Sequence, residues 1–386
     1  MLKVLYIEVS GGGPVRGSYV TPVWGWSQRG VEMHYLSYVP RGFKLQPAPE
    51  TDIRFHLTYS RSKLTFPLDA LRLAAAEHRR RPFDVVVATD PMGSGLVGYW
   101  LQRRFGLPLV IQCHTGYFGH YRWVLERPYY PFYHLLARFL LLKADLVQAV
   151  GRDLARTLLP LGVDPQKIAV CTFPVKTHFF DTPAPLPERP WRQELLFVGR
   201  FSKQKGLFSL LQALRLLLDA GKRPRLTLVG EGELKAALKQ KADKLGIRDR
   251  ITFAGFIPAS ALARFYRACD VFVLPSLYEG LCKVLVEAAL CGAPTVTTRV
   301  VGAAEMIVDG ETGLLVPPDD SPALAAAISR LDDDPARARA MGEKARLSAR
   351  QLFDYERIMD KTAGLWFKAA GQAGNHGHLL SKDQAA

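Results

Sequence analysis

The chain has 386 residues, a formal net charge of +15, 48% hydrophobic residues and 23% charged residues. This length exceeds one ordinary core and the composition is that of a globular protein, so we expect two folded domains. No run approaches the roughly 18 uninterrupted apolar residues of a spanning helix, and the N-terminal MLKVLYIEVS leads into a strand pattern rather than a signal peptide, so we expect a cytoplasmic protein.

The positive charge is concentrated in the first 180 residues. Such an excess suits nucleic acid, an anionic membrane surface or acidic substrates, and it does not choose among them. No nucleic-acid-binding motif accompanies it, so we expect no nucleic-acid partner. The five cysteines are scattered and lack C-x2-C spacing, which predicts reduced thiols rather than a zinc site or a disulfide framework.

Residues 1–180 alternate apolar runs with helical patterns. The runs LKVLYIEV, VEMHYLSYV, DIRFHLTY, DVVVATD, LPLVIQCH and DLVQAV read as strands, and LDALRLAAAEHRR reads as a helix. This βαβ rhythm predicts an α/β domain of the Rossmann-like type, built on an open parallel sheet.

Two loops of this first domain carry candidate binding residues. Gly12 and Gly13, in SGGGPVRGSYV, would let the backbone approach a ligand closely, although a tight surface turn is the alternative. His114 follows the strand LPLVIQC, and Asp90 ends VVVATD. Ligands bind beyond the carboxyl ends of strands in open α/β sheets, so we expect His114 to contact a ligand hydroxyl, with Asp90 as a weaker candidate.

The segment from Tyr117 to Tyr133 is rich in aromatic residues and contains Arg122 and Arg127. Aromatic rings and arginines suit the headgroup region of an anionic membrane, which makes peripheral membrane contact one hypothesis. A packed surface between domains and an aromatic platform for a ligand are the alternatives. Nearby cationic residues extend the charge: Arg103, Arg104, Arg138 and Lys143.

A proline-rich stretch from Pro183 to Pro190 predicts an extended linker, and the βαβ rhythm restarts after it. The second series of strand patterns is ELLFVGR, RLTLVGEG, RITFAGF, DVFVLPS, PTVTT and TGLLVPP. It predicts a second doubly wound Rossmann-like domain over residues 181–350, facing the first across a cleft that holds the ligand. A helical pattern covers residues 351–370, and residues 371–386 have the composition of a disordered tail.

The loop GRFSKQKG, which follows the first strand of the second domain, predicts an anion-binding turn. Arg200 can bind a phosphate through two hydrogen bonds, Lys205 can act as a point charge, and Gly206 opens the following helix. An ordinary basic loop on a cationic protein is the alternative.

Glu279 and Glu287 lie eight positions apart in LPSLYEGLCKVLVEAALCGAPTVTT. Gly280, which follows Glu279, predicts a turn before a helix. A ligand bound there would meet the helix N-terminus, which favours an anionic group. Two carboxylates on either side of this helix start suit different parts of an elongated polyhydroxylated ligand. Solvated glutamates favoured by the helix dipole are the alternative.

Together, GRFSKQKG, EGLCKVLVEA, VGEGE, FAGFI and GLLVPPDD resemble the retaining glycosyltransferases of the GT4 class, over nearly the whole chain and most strongly from Leu195 to Asp320. The resemblance implies the two-domain GT-B fold, with an acceptor-binding first domain and a nucleotide-sugar-binding second domain. It also implies that the helix at 351–370 crosses back to the first domain. The implied reaction moves a sugar from a nucleotide-diphosphate sugar to a hydroxyl acceptor, namely a glycan, a lipid-linked saccharide or a small molecule.

The resemblance also assigns roles to residues. Glu279 lies at the sugar, Glu287 binds the ribose hydroxyls, Arg200 and Lys205 neutralise the donor diphosphate, and His114 lies near the reacting sugar. The leaving diphosphate takes the acceptor proton, so no metal ion and no other cofactor is expected. The remaining donor-binding candidates are Gly280, Leu281, Gly230, Phe256, Ile257, Gly12 and Gly13.

The chain departs from the family pattern just before the linker. Many members have an Asn-Gly-Val-Asp turn there, whereas this sequence has TFPVKTHFF, with Lys176 where an acidic residue is frequent. Two alternatives remain at the level of the sequence. One is a sugar-nucleotide epimerase or hydrolase on the same fold, and the other is a carbohydrate-binding or membrane-binding module without turnover.

Overall fold

The computed structural model describes residues 1–9, 25–38, 53–60, 62, 65–114, 130–172, 179–180 and 189–371. The chain divides into two compact units, one formed by Met1–Pro174 with Tyr355–Ala386 and the other by Val175–Asp354. The boundary predicted at residue 180 lies a few residues after this division. Within the described ranges, no helix is both long enough and apolar enough to cross a membrane.

The first unit is built on a parallel sheet with the strand order β3-β2-β1-β4-β5-β6-β7. Strands β4, β5 and β6 are buried along their whole length, as expected for parallel strands covered on both faces. The strands are β1 (Leu2–Glu8), β2 (Val31–Tyr38), β3 (Ile53–Thr58), β4 (Val85–Ala88), β5 (Leu109–Cys113), β6 (Leu146–Ala149) and β7 (Ile168–Val170). The sequence patterns do not predict β7, because it is short and half-buried at the sheet edge.

Helices connect the strands of this sheet, and α2 packs against both α1 and α3. They are α1 (Phe66–Arg80), α2 (Gly93–Phe105), α3 (Tyr130–Lys143) and α4 (Arg152–Leu158). Small residues allow α2 to lie close to the sheet. A side chain on Gly98 would meet Leu109 of β5, since an added Cβ would lie 2.5 Å from Leu109 Cδ1.

The second unit is also built on a parallel sheet, with the strand order β10-β9-β8-β11-β12-β13. Its strands are β8 (Glu194–Val198), β9 (Arg225–Val229), β10 (Ile251–Gly255), β11 (Val271–Leu274), β12 (Thr295–Thr298) and β13 (Leu314–Val316). Its helices are α5 (Leu207–Asp219), α6 (Lys235–Lys244), α7 (Ala259–Ala268), α8 (Lys283–Leu290), α9 (Ala303–Met306), α10 (Ser321–Asp333) and α11 (Pro335–Leu352). The predicted class of two parallel-sheet α/β domains is confirmed.

The last described helix, α12 (Tyr355–Ala369), belongs to the first unit. Its Trp366 is fully buried and stacks on Trp26, with the ring centroids 4.6 Å apart. Arg29 forms ion pairs with Glu356 and Asp360 of this helix, and the Nε to Asp360 Oδ1 distance is 2.6 Å. An aromatic contact and a charged anchor therefore hold α12 against the strands of the first unit.

A histidine pair joins β2 and β3, and His34 is buried while His56 is half-buried. His34 Nδ1 is 2.9 Å from His56 Nε2, and the two rings stack with centroids 5.2 Å apart. The charged groups around the pair are Glu32, Arg54 and Glu77. Burial lowers the pKa of both histidines below the ordinary value of 6.5, and the charge of His34 lowers the pKa of His56 further.

This pair predicts a loss of stability in mild acid. Below the unfolded pKa of 6.5 the unfolded histidines bind protons while the folded ones stay neutral, so the free energy of unfolding falls with falling pH and levels off above that value. Each site contributes up to about 1.4 kcal/mol per pH unit. Thermal midpoints between about pH 7.5 and about pH 5.5 should show a shallower pH dependence for His56→Gln than for the wild type. Identical slopes in the wild type and His56→Gln would contradict this assignment.

Candidate functional site

The candidate site of the second unit lies beyond the carboxyl ends of β8 and β11. These strands are neighbours in the sheet although three helices and two strands separate them in the chain. The strand order reverses at this pair, because β8 continues to β9 on one side while β11 continues to β12 on the other. Ligands of open α/β sheets bind at such a switch point, since the two loops diverge there and leave space between them.

The loop after β8 carries the predicted cationic residues. Arg200 is exposed and, among the described residues, forms no ion pair. A short 3-10 turn from Lys203 to Lys205 follows, and Gly206 then begins α5 with a φ of 60°. Only 15% of the Lys205 side chain is exposed. The loop therefore combines one charge that is open to solvent with one that is largely enclosed by protein.

Lys205 and Glu279 form an ion pair that joins the two loops. Ser276 Oγ donates a hydrogen bond to Glu279 Oε1 at 2.6 Å. Gln204 Nε2 donates to the carbonyl oxygen of Tyr278 at 2.9 Å and to Glu279 Oε2 at 3.5 Å. Glu279 is thus buried but well supplied with donors, as a buried carboxylate requires. The sequence pattern does not indicate Ser276 or Gln204 as partners of Glu279, although Ser276 lies two residues after the end of β11.

Backbone contact also joins the two loops, through Gly206 and Pro275. A Cβ added to Gly206 would lie 2.0 Å from the carbonyl oxygen of Pro275. The N–H of Leu277 donates to the carbonyl oxygen of Gln204 at 2.7 Å. Glycine is required at position 206 by both the left-handed backbone and the close approach, so the loops hold Lys205 beside Glu279.

Glu287 lies on the second turn of α8 and is fully buried. Tyr266 on α7, also fully buried, donates its hydroxyl hydrogen to Glu287 Oε2 at 2.8 Å. No local sequence pattern links Tyr266 to Glu287, because the two residues lie 21 positions apart in the chain. The ribose contact expected for Glu287 stays a prediction.

The next two strands place the remaining donor-binding candidates on the same edge of the sheet. Gly230 follows β9, and its N–H donates to the carbonyl oxygen of Gly255 at 2.8 Å. A Cβ on Gly230 would lie 1.9 Å from the carbonyl oxygen of Gly199, so this glycine permits close packing of adjacent loops. Phe256, which follows β10, is 69% exposed, and Ile257 is half-buried. An exposed aromatic ring at this edge offers a stacking surface for a ligand.

The turn before α8 contains Gly280 and Leu281, and Cys282 precedes the first helical residue. Gly280 is buried and Leu281 is half-buried. Cys282 makes no side-chain cap hydrogen bond to this helix. Burial and the charge of Glu279 raise the pKa of the Cys282 thiol well above its ordinary range, so the thiol is neutral and acts in packing.

Gly302 belongs to a third loop, which the sequence pattern does not indicate as part of the site. It precedes α9 with a φ of 80°, and an added Cβ would lie 1.6 Å from the carbonyl oxygen of Gly280. The loop after β12 therefore supports the turn that follows Glu279. A glycine followed by a four-residue helical turn is too common a pattern to indicate this contact in advance.

We expect Gly302→Ala to lower the sugar-transfer activity that the family resemblance implies about tenfold or more, because the turn after Glu279 has to move. Gly221→Ala is a matched control, since Gly221 has a φ of 82° and an added Cβ meets no atom within 4 Å. Both substitutions carry the left-handed backbone cost of about 1–2 kcal/mol, but the clash occurs only at position 302. Steady-state rates and thermal midpoints measure the difference, and equal losses of activity in the two variants would contradict a supporting role for Gly302.

In the first unit, His114 follows β5 and is half-buried. Asp90 lies after the neighbouring strand β4, and its carboxylate accepts hydrogen bonds from the N–H of Met92 at 2.8 Å and from Ser94 Oγ at 2.6 Å. These bonds engage both carboxylate oxygens and place Asp90 in the turn before α2, and its contact with a ligand stays a prediction. Gly12 and Gly13 lie outside the described residues.

Two family descriptions match the chain, one in each unit. Residues 23–173 match the glycosyl transferase 4-like domain, and residues 181–348 match the glycosyl transferases group 1. The chain belongs to the GT4 glycosyltransferases. The predicted family and the predicted activity of sugar transfer are confirmed.

Individual relatives of this GT4 glycosyltransferase agree with that assignment. Alpha-D-kanosaminyltransferase from Streptomyces kanamyceticus is 29% identical over 303 residues, which cover 74% of this chain and 78% of the relative. Sucrose-phosphate synthase from Thermosynechococcus elongatus superposes with a TM-score of 0.81 at 23% identity, over 95% of this chain and 99% of that one. HepE from Anabaena in complex with UDP-glucose gives a TM-score of 0.73 at 20% identity, over 94% and 98% of the two chains. These superpositions show that both domains share the fold of those proteins.

Proposed function

We propose that this GT4 glycosyltransferase is a retaining enzyme that uses a nucleoside diphosphate sugar as donor and a hydroxyl group as acceptor. The observation that supports the proposal best is the ion pair between the half-buried Lys205 and the buried Glu279 at the switch point between β8 and β11. An ammonium group held beside a carboxylate serves two parts of such a donor, since the cation attracts the diphosphate and the carboxylate accepts hydrogen bonds from sugar hydroxyls.

The donor would lie along the carboxyl edge of the sheet in the second unit. Arg200 and Lys205 would contact the diphosphate, and the start of α8 would add the partial positive charge of a helix N-terminus. Glu287 would bind the ribose, and Phe256 and Ile257 would lie near the base. HepE, which shares this fold, has been crystallised with UDP-glucose, so a UDP-hexose is the first donor to test.

The proposed reaction forms one bond and breaks one. The acceptor oxygen bonds to the anomeric carbon from the face that the diphosphate leaves, and the bond between that carbon and the phosphate oxygen breaks. The acceptor proton passes to the departing diphosphate. Negative charge develops on the leaving group, and preorganised cations at Arg200 and Lys205 would stabilise it without a metal ion or another cofactor.

The first unit would supply the acceptor side of this proposal. His114 would form a hydrogen bond to a hydroxyl of the reacting sugar, and Gly12 and Gly13 would let the backbone approach the ligand. The acceptor class includes glycans, lipid-linked saccharides and small molecules. Membrane contact through the segment from Tyr117 to Tyr133 also stays part of the proposal, and residues 117–129 of that segment lie outside the described residues.

The decisive experiment has two stages. UDP and GDP are first compared for their ability to raise the thermal midpoint, since a ligand that binds only the folded state stabilises it. The matching nucleotide sugar is then incubated with a panel of acceptors, and nucleotide release and product are followed by chromatography and NMR. We expect release that depends on the acceptor and a product with the donor's anomeric configuration. Free sugar formed equally well without an acceptor, or an inverted product, would overturn the proposal.

A further inference from the structure

Helix α3 of the first unit is apolar on two opposite sides. Ala137, Leu140 and Leu141 are buried against the domain. Phe132, Leu135, Phe139 and Leu142 follow a spacing of three, four and three residues, so they form one stripe on the other side of the helix. We call this stripe the outer face of α3.

The outer face of α3 is open to solvent. Phe132 and Leu135 are 66% and 63% exposed, and Phe139 and Leu142 are 43% and 40% exposed. Trp100, on the neighbouring helix α2, is 54% exposed, and Tyr99 beside it packs edge-on against Phe139 with centroids 5.4 Å apart. An amphipathic surface helix normally has charged residues in this position, so a contiguous apolar stripe indicates a binding surface.

Cations flank this stripe. Lys143 Nζ lies 5.9 Å from the centre of the Phe139 ring, and Arg138 Nε donates to the carbonyl oxygen of Leu161 at 3.1 Å. Arg103 and Arg104 are exposed at the end of α2, and neither α2 nor α3 contains an acidic residue. Among the described residues that flank α3 in the chain, Asp145 is acidic, and its Oδ2 accepts hydrogen bonds from Gln102 Nε2 and from the N–H of Leu109, each at 2.8 Å.

We propose that the outer face of α3 docks this protein on an anionic lipid surface. Apolar side chains between cationic residues match a bilayer surface, where rings and aliphatic chains enter the acyl boundary while ammonium and guanidinium groups stay with the anionic headgroups. With 14 residues α3 is about 20 Å long, so it lies in the plane of the interface rather than across the bilayer.

The charges favour a membrane over a second copy of the chain. A two-fold interface presents the same patch from both copies, so pairing of two outer faces would place two patches of equal positive charge against each other. Among the described residues α2 and α3 supply no acidic side chain to offset that repulsion, whereas an anionic leaflet neutralises the cations. The residues that form this surface all belong to the first unit, so membrane docking does not depend on which sugar the enzyme transfers.

Vesicle co-sedimentation of the full chain tests the proposal, with phosphatidylcholine vesicles that contain or lack phosphatidylglycerol. The test variant is Phe132→Ser with Leu135→Ser. The matched control is Leu347→Ser with Leu352→Ser, because these two leucines are 51% and 52% exposed on α11 of the second unit. A charge variant, Arg138→Gln with Lys143→Gln, keeps the apolar stripe. Thermal midpoints confirm that each variant is folded.

We expect the wild type to sediment with the anionic vesicles, and the partition coefficient to fall about tenfold or more in the α3 serine variant. The charge variant should also bind less, added salt should weaken wild-type binding, and the α11 variant should behave as the wild type. The proposal is overturned if the wild type does not co-sediment with anionic vesicles, or if the α11 variant loses as much vesicle binding as the α3 serine variant. Sedimentation velocity measures the oligomeric state and so tests whether a second copy of the chain occupies the outer face of α3 instead. A dimer that dissociates in the α3 serine variant, with vesicle binding unchanged, would assign this face to a second copy.

Discussion

Replacing Lys205 by Ala is expected to lower the rate constant for sugar transfer by about 100-fold to 1,000-fold. The proposed role of its ammonium group is to stabilise charge on the departing diphosphate, and its ion pair with Glu279 holds it in place for that role. Lys203→Ala is the matched control, because Lys203 is exposed on the same 3-10 turn, and we expect its rate to stay within about twofold of the wild type. Single-turnover kinetics at saturating donor measures the difference.

The Lys205 variant also has a structural consequence that must be separated from the chemical one. Without Lys205 the carboxylate of Glu279, which is 7% exposed, loses its counter-ion, and breaking a buried pair costs about 3–5 kcal/mol. Lys205→Ala combined with Glu279→Gln removes both charges, so we expect the thermal midpoint to recover in the double variant while transfer stays slow. If transfer recovers together with stability, Lys205 acts on the fold and not on the leaving group.

Replacing Glu287 by Gln is expected to weaken donor binding about tenfold or more, because hydrogen bonds to a charged acceptor contribute about 1.5–3 kcal/mol. The amide has nearly the shape of the carboxylate but would accept the proposed hydrogen bonds from two ribose hydroxyls less well. Isothermal titration calorimetry with the nucleoside diphosphate measures the affinity without turnover. Unchanged affinity would remove Glu287 from the ribose contacts.

Tyr266→Phe is the control for that experiment. It breaks the same buried hydrogen bond from the other partner, at a cost of about 1 kcal/mol in unfolding free energy, and leaves the Glu287 carboxylate in place. We expect much less loss of nucleotide affinity in this variant than in Glu287→Gln. If both variants lose affinity equally, Glu287 supports the fold of α7 and α8 and does not itself contact the ribose.

The sequence predicts most of the architecture because strands and helices have local signatures. The apolar runs VVVA and VFVL are buried parallel strands, and the proline and glycine turns end the elements where expected. The sequence does not predict β7, because its three half-buried residues show no alternation of apolar and polar side chains. Asp90 follows a strand, as a ligand-contacting residue would, yet its carboxylate completes a turn with Met92 and Ser94. A strand end locates a side chain, but it does not tell which hydrogen bonds that side chain makes.

By itself the sequence determined the two α/β domains, the GT4 resemblance and the chemical character of the candidate site, since Arg200, Lys205, Glu279 and Glu287 stand in a recognisable local pattern. The tertiary structure decided which groups meet: Gln204 and Ser276 at Glu279, Tyr266 at Glu287, and Gly302 against Gly280. It also decided that α3 leaves one apolar face uncovered. These contacts join segments that are distant in the chain, and hydrophobic periodicity shows that a face is apolar without showing whether another element covers it.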